Sequence, residues 1–258
     1  MSAETTAKAA IVTGASKGIG KCIAIELARA GFDVAVNYNT DLAGAQDTVF
    51  QIEELGRKAV AIQANVGDTE SARGLFTAFD KHFKDLHVVV ANAAVQTWSP
   101  LLDLQIEDWD RVLNTNLRGT FICTQEGARR MVDKGHGGSI VTIGSGCNKL
   151  AFPRLVDYTA SKGGIEMFTK VAAVELGKYQ IRVNCVAPGA TEVERTKHET
   201  GDYAGTWAPI TPLGRIGMPL DIARAVLFFA GDQSEFVTGQ TLTVDGGVTA
   251  KPQWPYEF

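Results

Sequence analysis

Residues 9–31 read AAIVTGASKGIGKCIAIELARAG. A continuous apolar run, AAIVT (9–13), ends in a turn carrying Gly14, Gly18 and Gly20, and the turn opens a stretch of helical character. There Ile23, Leu27 and Ala30 recur at helical spacing around the charged Glu26 and Arg29. An apolar run without polar alternation is what a parallel strand covered on both faces requires. The stretch therefore predicts strand, tight turn and amphipathic helix, the first unit of a β-α-β fold.

Working outward, the same rhythm repeats. Further apolar runs are FDVAVNY (32–38), KAVAIQA (58–64), LHVVVAN (86–92), GSIVTIG (138–144), IRVNCVAP (181–188) and TLTVD (241–245). Alternation of such runs with amphipathic segments predicts an α/β fold, a doubly wound parallel sheet of about seven strands with helices on both faces. No repeat, low-complexity tract or Pro/Ser linker divides the chain, so residues 1–258 are expected to form one domain. Two segments break the rhythm. Residues 190–212 are long, charged and turn-rich, as in a lid over a site. The tail at 250–258 carries Trp254, Tyr256 and Phe258, which suits either docking onto a body or a frayed end.

Composition narrows the function classes. The net charge of −4 provides no general basic field, so nucleic acid is not an expected partner. No apolar run approaches the length that crosses a bilayer, and the first residues lack the charged-then-apolar pattern of a secretory signal. Cys22, Cys123, Cys147 and Cys185 are scattered, and the four histidines show no ligand spacing, so reduced thiols, a cytoplasmic location and no metal are expected.

The turn TGASKGIG (13–20) spaces its glycines G-x-x-x-G-x-G. Glycine permits a tight turn and close backbone approach, and the amides of the following helix can receive a pyrophosphate. Its place after the first strand points to a dinucleotide. An acidic residue at the end of the second strand would favour NAD and repel the extra phosphate of NADP. That end carries Tyr38 and Asn39, with no carboxylate before Asp41, while Lys17 in the turn can approach a phosphate as a point charge. NADP(H) is therefore favoured, with NAD(H) use compatible.

A second stretch, DYTASKGG (157–164), sets Tyr158 and Lys162 four residues apart, one above the other on a helix. Alone, such a pair is usually a solvated helix face. Together with the glycine turn, however, the chain resembles the short-chain dehydrogenase/reductase family, a Rossmann-type fold, along nearly its whole length. TGASKGIG is similar to the family's TGxxxGxG, NTNLRGTF (114–121) to its N-x-N-L-x-G, IGS (143–145) to its serine strand and YTASK to its YxxxK. VNCVAPG (183–189), PLGRIGMP (212–219) and VTGQTLTVDGG (237–247) resemble its late signatures.

The resemblance implies Tyr158 as general acid/base, Lys162 as its electrostatic partner and ribose anchor, Ser145 as holder of the substrate oxygen, and Asn116 as an aid to the lysine and a water-linked proton route. It implies a cofactor site from Gly14, Ser16, Lys17, Gly18, Ile19 and Gly20, with Tyr38, Asn39, Asn65, Val66, Asn92, Ala93 and Ala94 along one side. Pro188 and Gly189 would back the nicotinamide and Thr191 would bind its carboxamide, although the family's usual position for that residue holds Val193. Asn65 replaces the family's aspartate beside adenine and can still accept a hydrogen bond. Ala94 replaces a family glycine. A positive φ there would cost of order 1 kcal/mol, and accommodation is expected.

These groups suit hydride transfer. A free phenol has a pKa near 10, and a neighbouring ammonium favours its ionised form. Lowering that pKa by about 3 units corresponds to about 4 kcal/mol. Within the family, the segments EDWDRVLNTNLRGTF (107–121), GCNKLAFPRLV (146–156) and DGGVTAKPQWP (245–255) resemble the bacterial glucose 1-dehydrogenase subgroup, whose histidine is here Cys147. That favours an aldose or polyol, with Gln96, Cys147, Asn148, Lys149, Arg154, Tyr203 and Trp207 as pocket groups beside Ser145 and Tyr158. The alternatives are a reductase of 3-oxoacyl thioesters or bulkier ketones, whose acidic carrier would meet Arg118, Arg129, Arg130 and Lys134, and a non-catalytic NADP-binding redox sensor. The resemblance also implies a homotetramer formed through helices beginning near residues 107 and 157 and through the last strand.

Overall fold

The structure is a computed structural model that describes residues 8–194, 196 and 201–251. Trp254, Tyr256 and Phe258 of the predicted aromatic tail lie outside the described residues.

Each predicted apolar run forms a strand: β1 (Ala9–Val12), β2 (Asp33–Tyr38), β3 (Ala59–Gln63), β4 (Val88–Ala91), β5 (Gly138–Ile143), β6 (Ile181–Pro188) and β7 (Thr241–Val244). They make one sheet in the order β3-β2-β1-β4-β5-β6-β7, parallel at every pairing. The helices are α1 (Gly18–Arg29), α2 (Leu42–Glu53), α3 (Thr69–Phe79), α4 (Ile106–Leu113), α5 (Gly119–Lys134), α6 (Val156–Leu176), α7 (Tyr203–Trp207) and α8 (Pro219–Ala230).

The reason for continuous apolar strands is visible in β1. Ala10 and Val12 join one core with Ile23 and Leu27 of α1, Ile52 of α2 and Ile222 and Phe229 of α8. Ala9 and Ile11 face the opposite core with Phe76 of α3, Met131 of α5 and Ala172 of α6. Both faces are dry, so both parities must be apolar. Burying an Ile or Val of this kind is worth about 1.5–3 kcal/mol.

The strand order reverses between β1 and β4. In a doubly wound sheet this switch point opens a crevice at the carboxyl ends of the strands, where ligands bind. The glycine turn, Tyr38, Ala91, Ile143 and Pro188 all stand at that edge.

Two expectations change in detail. The helix expected near residue 107 begins at Ile106 but is interrupted by a π-helical turn, Asn114–Arg118, between α4 and α5. The segment 190–212 is not simply a loop. Asp202 Oδ1 accepts from Gly205 N at 2.7 Å and starts α7, and a 3₁₀ turn (Ala208–Ile210) follows with Pro209 in its first turn. Capping by aspartate and an early proline are ordinary helix-starting devices.

Candidate active site

A cleft of about 590 Å³ runs along the carboxyl edge of the sheet. The glycine turn builds its first end. Gly14 and Gly18 have φ of +62° and +56°, a left-handed backbone that glycine adopts without steric cost. At Gly20 an added Cβ would lie 2.2 Å from the Gly14 carbonyl oxygen and 2.5 Å from Asn92 Nδ2. The α1 amino terminus is therefore pressed against the turn and opens toward the cleft, a cradle suited to a phosphate.

Polar side chains hold this turn from below. Asn92 Nδ2 donates to the carbonyls of Thr13 (2.8 Å) and Gly14 (3.2 Å), and the Thr13 hydroxyl accepts from the amides of Asn92 and Ala93. Asn37 Oδ1 accepts from Gly14 N at 3.2 Å, while its Nδ2 donates to the carbonyls of Ile62 and Ala64. Thr13 and Asn37 escaped the sequence reading. A polar residue inside an apolar strand run was their only signal.

Ser16, Lys17 and Ile19 of the turn and, beyond it, Tyr38, Asn39, Asn65, Val66, Ala93 and Ala94 line the same cleft. Asn65 Oδ1 accepts from Gly67 N at 3.0 Å, which fixes its amide at the cleft edge. Asp41, also lining the cleft, caps α2 through Gly44 N at 3.0 Å. Ala94 is not among the described residues with positive φ, so its methyl imposes no left-handed strain.

The second end is formed by β5, α6 and β6. Ser145 follows β5, and its Oγ accepts from Cys147 N at 3.2 Å. Tyr158 stands in the first turn of α6 and Lys162 one turn on. The Lys162 side chain is buried, its Nζ donates to the Ile143 carbonyl at 2.8 Å, and it lies 5.4 Å from the centroid of the Tyr158 ring. One strand end thus presents Ser145 and anchors Lys162. Pro188, Gly189 and Thr191 close this side, and the Thr191 hydroxyl donates to the Gly189 carbonyl at 3.1 Å.

Asn116 is fully buried within the π-helical turn and does not line the cleft. Its Oδ1 accepts from Val95 N at 2.8 Å, and its Nδ2 donates to the Val95 carbonyl and to Ser161 Oγ at 3.0 Å. It ties the loop after β4 to the residue preceding Lys162. π turns are commonly found where a site needs a side chain re-aimed.

The expected substrate groups divide. Gln96, Cys147, Tyr203 and Trp207 line the cleft, together with Trp98, Phe152 and Leu155, which the sequence reading did not single out. Asn148, Lys149 and Arg154 do not line it. Asn148 Nδ2 donates to Glu166 Oε2, and Lys149 Nζ pairs with Glu166 Oε1 at 2.9 Å. A buried carboxylate on α6 needs partners, and these two residues supply them. Burial pushes Glu166 upward, but Lys149 and then Lys170 hold it below its ordinary range. Burial also pushes the Cys147 thiol up, which keeps it neutral.

A family model described as enoyl-(acyl carrier protein) reductase matches residues 14–249, from the glycine turn to the segment after β7. The chain belongs to the short-chain dehydrogenase/reductase family. This short-chain dehydrogenase/reductase is 37% identical over 251 residues to 3beta-hydroxysteroid dehydrogenase 1 of Eggerthella lenta, covering 96% of each chain. It is 37% identical to L-rhamnose 1-dehydrogenase (NAD(P)(+)) of a Sphingomonas species, covering 93% of this chain and 96% of that one. The crystal structure of acetoin dehydrogenase from Enterobacter cloacae superposes with a TM-score of 0.90 at 36% identity, covering 98% and 100% of the two chains. These names span a hydroxysteroid, a sugar and acetoin at nearly equal identity, so kinship singles out no substrate and no glucose 1-dehydrogenase subgroup.

Among the described residues, no helix is long and apolar enough to cross a membrane and no acidic, His or Cys cluster gathers to hold a metal.

Proposed function

We propose that this oxidoreductase interconverts an alcohol and a carbonyl with NAD(P)(H), using Tyr158 to move the proton. The observation that carries the reading is that Ser145, Tyr158 and Lys162 share one cleft with the glycine turn. The cradle at Gly14, Gly18 and Gly20 fits a pyrophosphate, Pro188, Gly189 and Thr191 would face the nicotinamide, and Lys162 would also reach the ribose. When bound, the nicotinamide supplies or accepts the hydride.

The chain's own groups do the rest. The Lys162 ammonium favours the ionised phenol of Tyr158. In reduction the Tyr158 hydroxyl gives its proton to the carbonyl oxygen while the Ser145 hydroxyl donates a hydrogen bond to it. In oxidation both roles reverse. Asn116 acts as a positioning residue by holding Val95 and Ser161. Tyr158→Phe is expected to lower turnover by about 10³-fold or more, within the span of a lost acid/base group, while NADPH titration still shows binding. Near-normal turnover in that variant would sink the mechanism.

Lys17, with Tyr38 and Asn39 where a carboxylate would select NAD, supports a preference for NADP(H). Asp41 Oδ1 is committed to capping α2 and so drawn away from a ribose, in keeping with NAD(H) as the slower alternative.

An aldose or polyol substrate is the second reading. Gln96 in the cleft favours it, but it loses Asn148, Lys149 and Arg154 as hydroxyl partners. Docking of an acidic carrier loses support at three of its four basic residues, because Arg129, Arg130 and Lys134 pair with Glu126, Asp80 and Asp85, while Arg118 stays exposed.

A homotetramer is part of the same proposal. Phe121 of α5 and Met167, Val171 and Val174 of α6 are exposed, a groove between these helices is lined by Leu117 and Phe168, and β7 ends the sheet. Burial of such apolar faces is the usual drive to association. Sedimentation as a monomer at low micromolar concentration would remove this part. The four cysteines are free, in keeping with a reducing compartment such as the cytoplasm.

A further inference from the structure

The wall of the cleft around Ser145 and Tyr158 is aromatic. Phe152, between β5 and α6, meets Trp207 of α7 with ring centroids 6.0 Å apart and planes at 54°. Trp207 meets Tyr203 at 6.2 Å and 46°. These three rings come from two separate segments, the stretch after the catalytic serine and the lid, and both segments line the cleft beside Tyr158.

The surroundings continue the same chemistry. Trp98 and Leu155 line the cleft beside them, with the neutral thiol of Cys147 two residues after Ser145. A neutral sulfur is soft and packs well on ring edges. The polar residues that follow Ser145 in the chain, Asn148 and Lys149, are engaged by Glu166 and do not line the cleft. A monosaccharide at this wall would surrender water from hydroxyls that find few partners. A flat apolar ring would lose water favourably and meet ring faces tilted at angles that suit edge-to-face and offset contacts.

We propose that Phe152, Tyr203 and Trp207 form a ring-binding wall that selects substrates whose reacting C–O carbon belongs to, or adjoins, a flat cyclic or fused-ring apolar skeleton. The proposal rests on the alcohol/carbonyl reading for its chemistry, but the wall itself is a binding property. It assigns substrate selection to the aromatic contact between lid and loop, and it ranks cyclic ketones and alcohols above aldoses.

The test compares 2-tetralone, 2,3-butanedione and D-glucose as substrates of the full chain with NADPH or NADP⁺, and measures 2-naphthol binding by calorimetry. The expected result is a kcat/KM for 2-tetralone at least tenfold above that for 2,3-butanedione, with D-glucose lowest. Phe152→Ala and Trp207→Ala are each expected to lower the 2-tetralone to 2,3-butanedione ratio about tenfold, chiefly through KM, and to weaken 2-naphthol about tenfold (about 1.4 kcal/mol). Trp207→Phe, which keeps a ring, should restore most of both. A ratio unchanged in the alanine variants, a preference for D-glucose, or no 2-naphthol binding by the parent chain would overturn the proposal. Naphthol binding that follows the rings without reduction of any ketone would instead overturn the hydride-transfer reading and leave the wall standing.

Discussion

At the nucleotide end of the cleft, the backbone is the binding surface and side chains serve it from behind. Asn92 donates to the carbonyls of Thr13 and Gly14, Asn37 Oδ1 accepts from Gly14 N, the Thr13 hydroxyl accepts from the amides of Asn92 and Ala93, and Gly20 leaves no room for a Cβ. At the substrate end, side chains are the surface: Phe152, Tyr203 and Trp207 face the cleft from a loop and a five-residue helix. The first end is tied into the sheet by hydrogen bonds to β1, β2 and β4. The second rests on ring contacts at 6.0 and 6.2 Å between segments outside the sheet. A ligand common to many enzymes can be met by fixed backbone geometry, whereas a particular substrate is met by exchangeable side chains.

The comparison can be broken most sharply at Gly20. Gly20→Ala would put a Cβ 2.2 Å from the Gly14 oxygen, a backbone atom with nowhere to go. Cofactor affinity is expected to fall more than about 100-fold, equivalent to about 2.7 kcal/mol or more. A fluorescence titration showing parental affinity for NADPH would mean that the turn is less rigid than its contacts imply.

Glu166 joins the two plans, because a buried carboxylate on α6 anchors the loop that follows Ser145. Glu166→Ala is expected to lower kcat about tenfold by letting that loop and Ser145 shift, within the span of the cost of small misplacements. Glu166→Gln, which keeps an acceptor, should recover much of it. Equal losses in both variants would point to folding instead. Because its folded pKa is held down, Glu166 contributes stability above its ordinary value of 4.5 that is lost as pH falls through the lower folded value.

A smaller effect is expected at Lys17. Lys17→Ala should lower the NADP to NAD ratio of kcat/KM about fivefold, as expected for loss of one solvated point charge on a phosphate. An unchanged ratio would assign cofactor choice to Tyr38 and Asn39 alone.

The smallest effect lies at the opposite edge of the sheet. His87 Nδ1 accepts from Ala9 N at 3.2 Å, and its ring stacks on His136 at 4.6 Å. Burial, then the neighbouring His136, hold its pKa below the ordinary 6.5. The folded state resists protonation there, so stability should decline as pH falls below 6.5 through the folded value. In His87→Gln that decline in melting temperature between pH 7 and 5 should be shallower, with turnover at pH 7 little changed. An identical decline in both proteins would remove His87 from the acid sensitivity.

The strands, the glycine turn and the Tyr158–Lys162 pair were legible in the sequence because each is a local pattern. A parallel strand must be apolar on both faces, a pyrophosphate turn must spare its Cβ atoms, and residues four apart share a helix face. Asn148 shows where such reading stops. It stands three residues after Ser145 and looked like a substrate group, yet Glu166, eighteen residues further on, draws its amide away from the cleft. Likewise the π turn at Asn114–Arg118 holds Asn116, whose partners Val95 and Ser161 lie on other segments.

The amino-acid sequence by itself determined the sheet, the family and the placing of Tyr158 one helical turn from Lys162, since those follow from spacing along the chain. Tertiary structure alone decided which polar groups support the site and which rings form its wall. Asn37, Thr13 and Glu166 acquire their roles only when distant carbonyls, amides and ammonium groups arrive beside them. Phe152 and Trp207, fifty-five positions apart, become one surface because α7 packs against the loop after β5. A buried polar atom takes whichever partner the packing brings, and no local pattern records which one that will be.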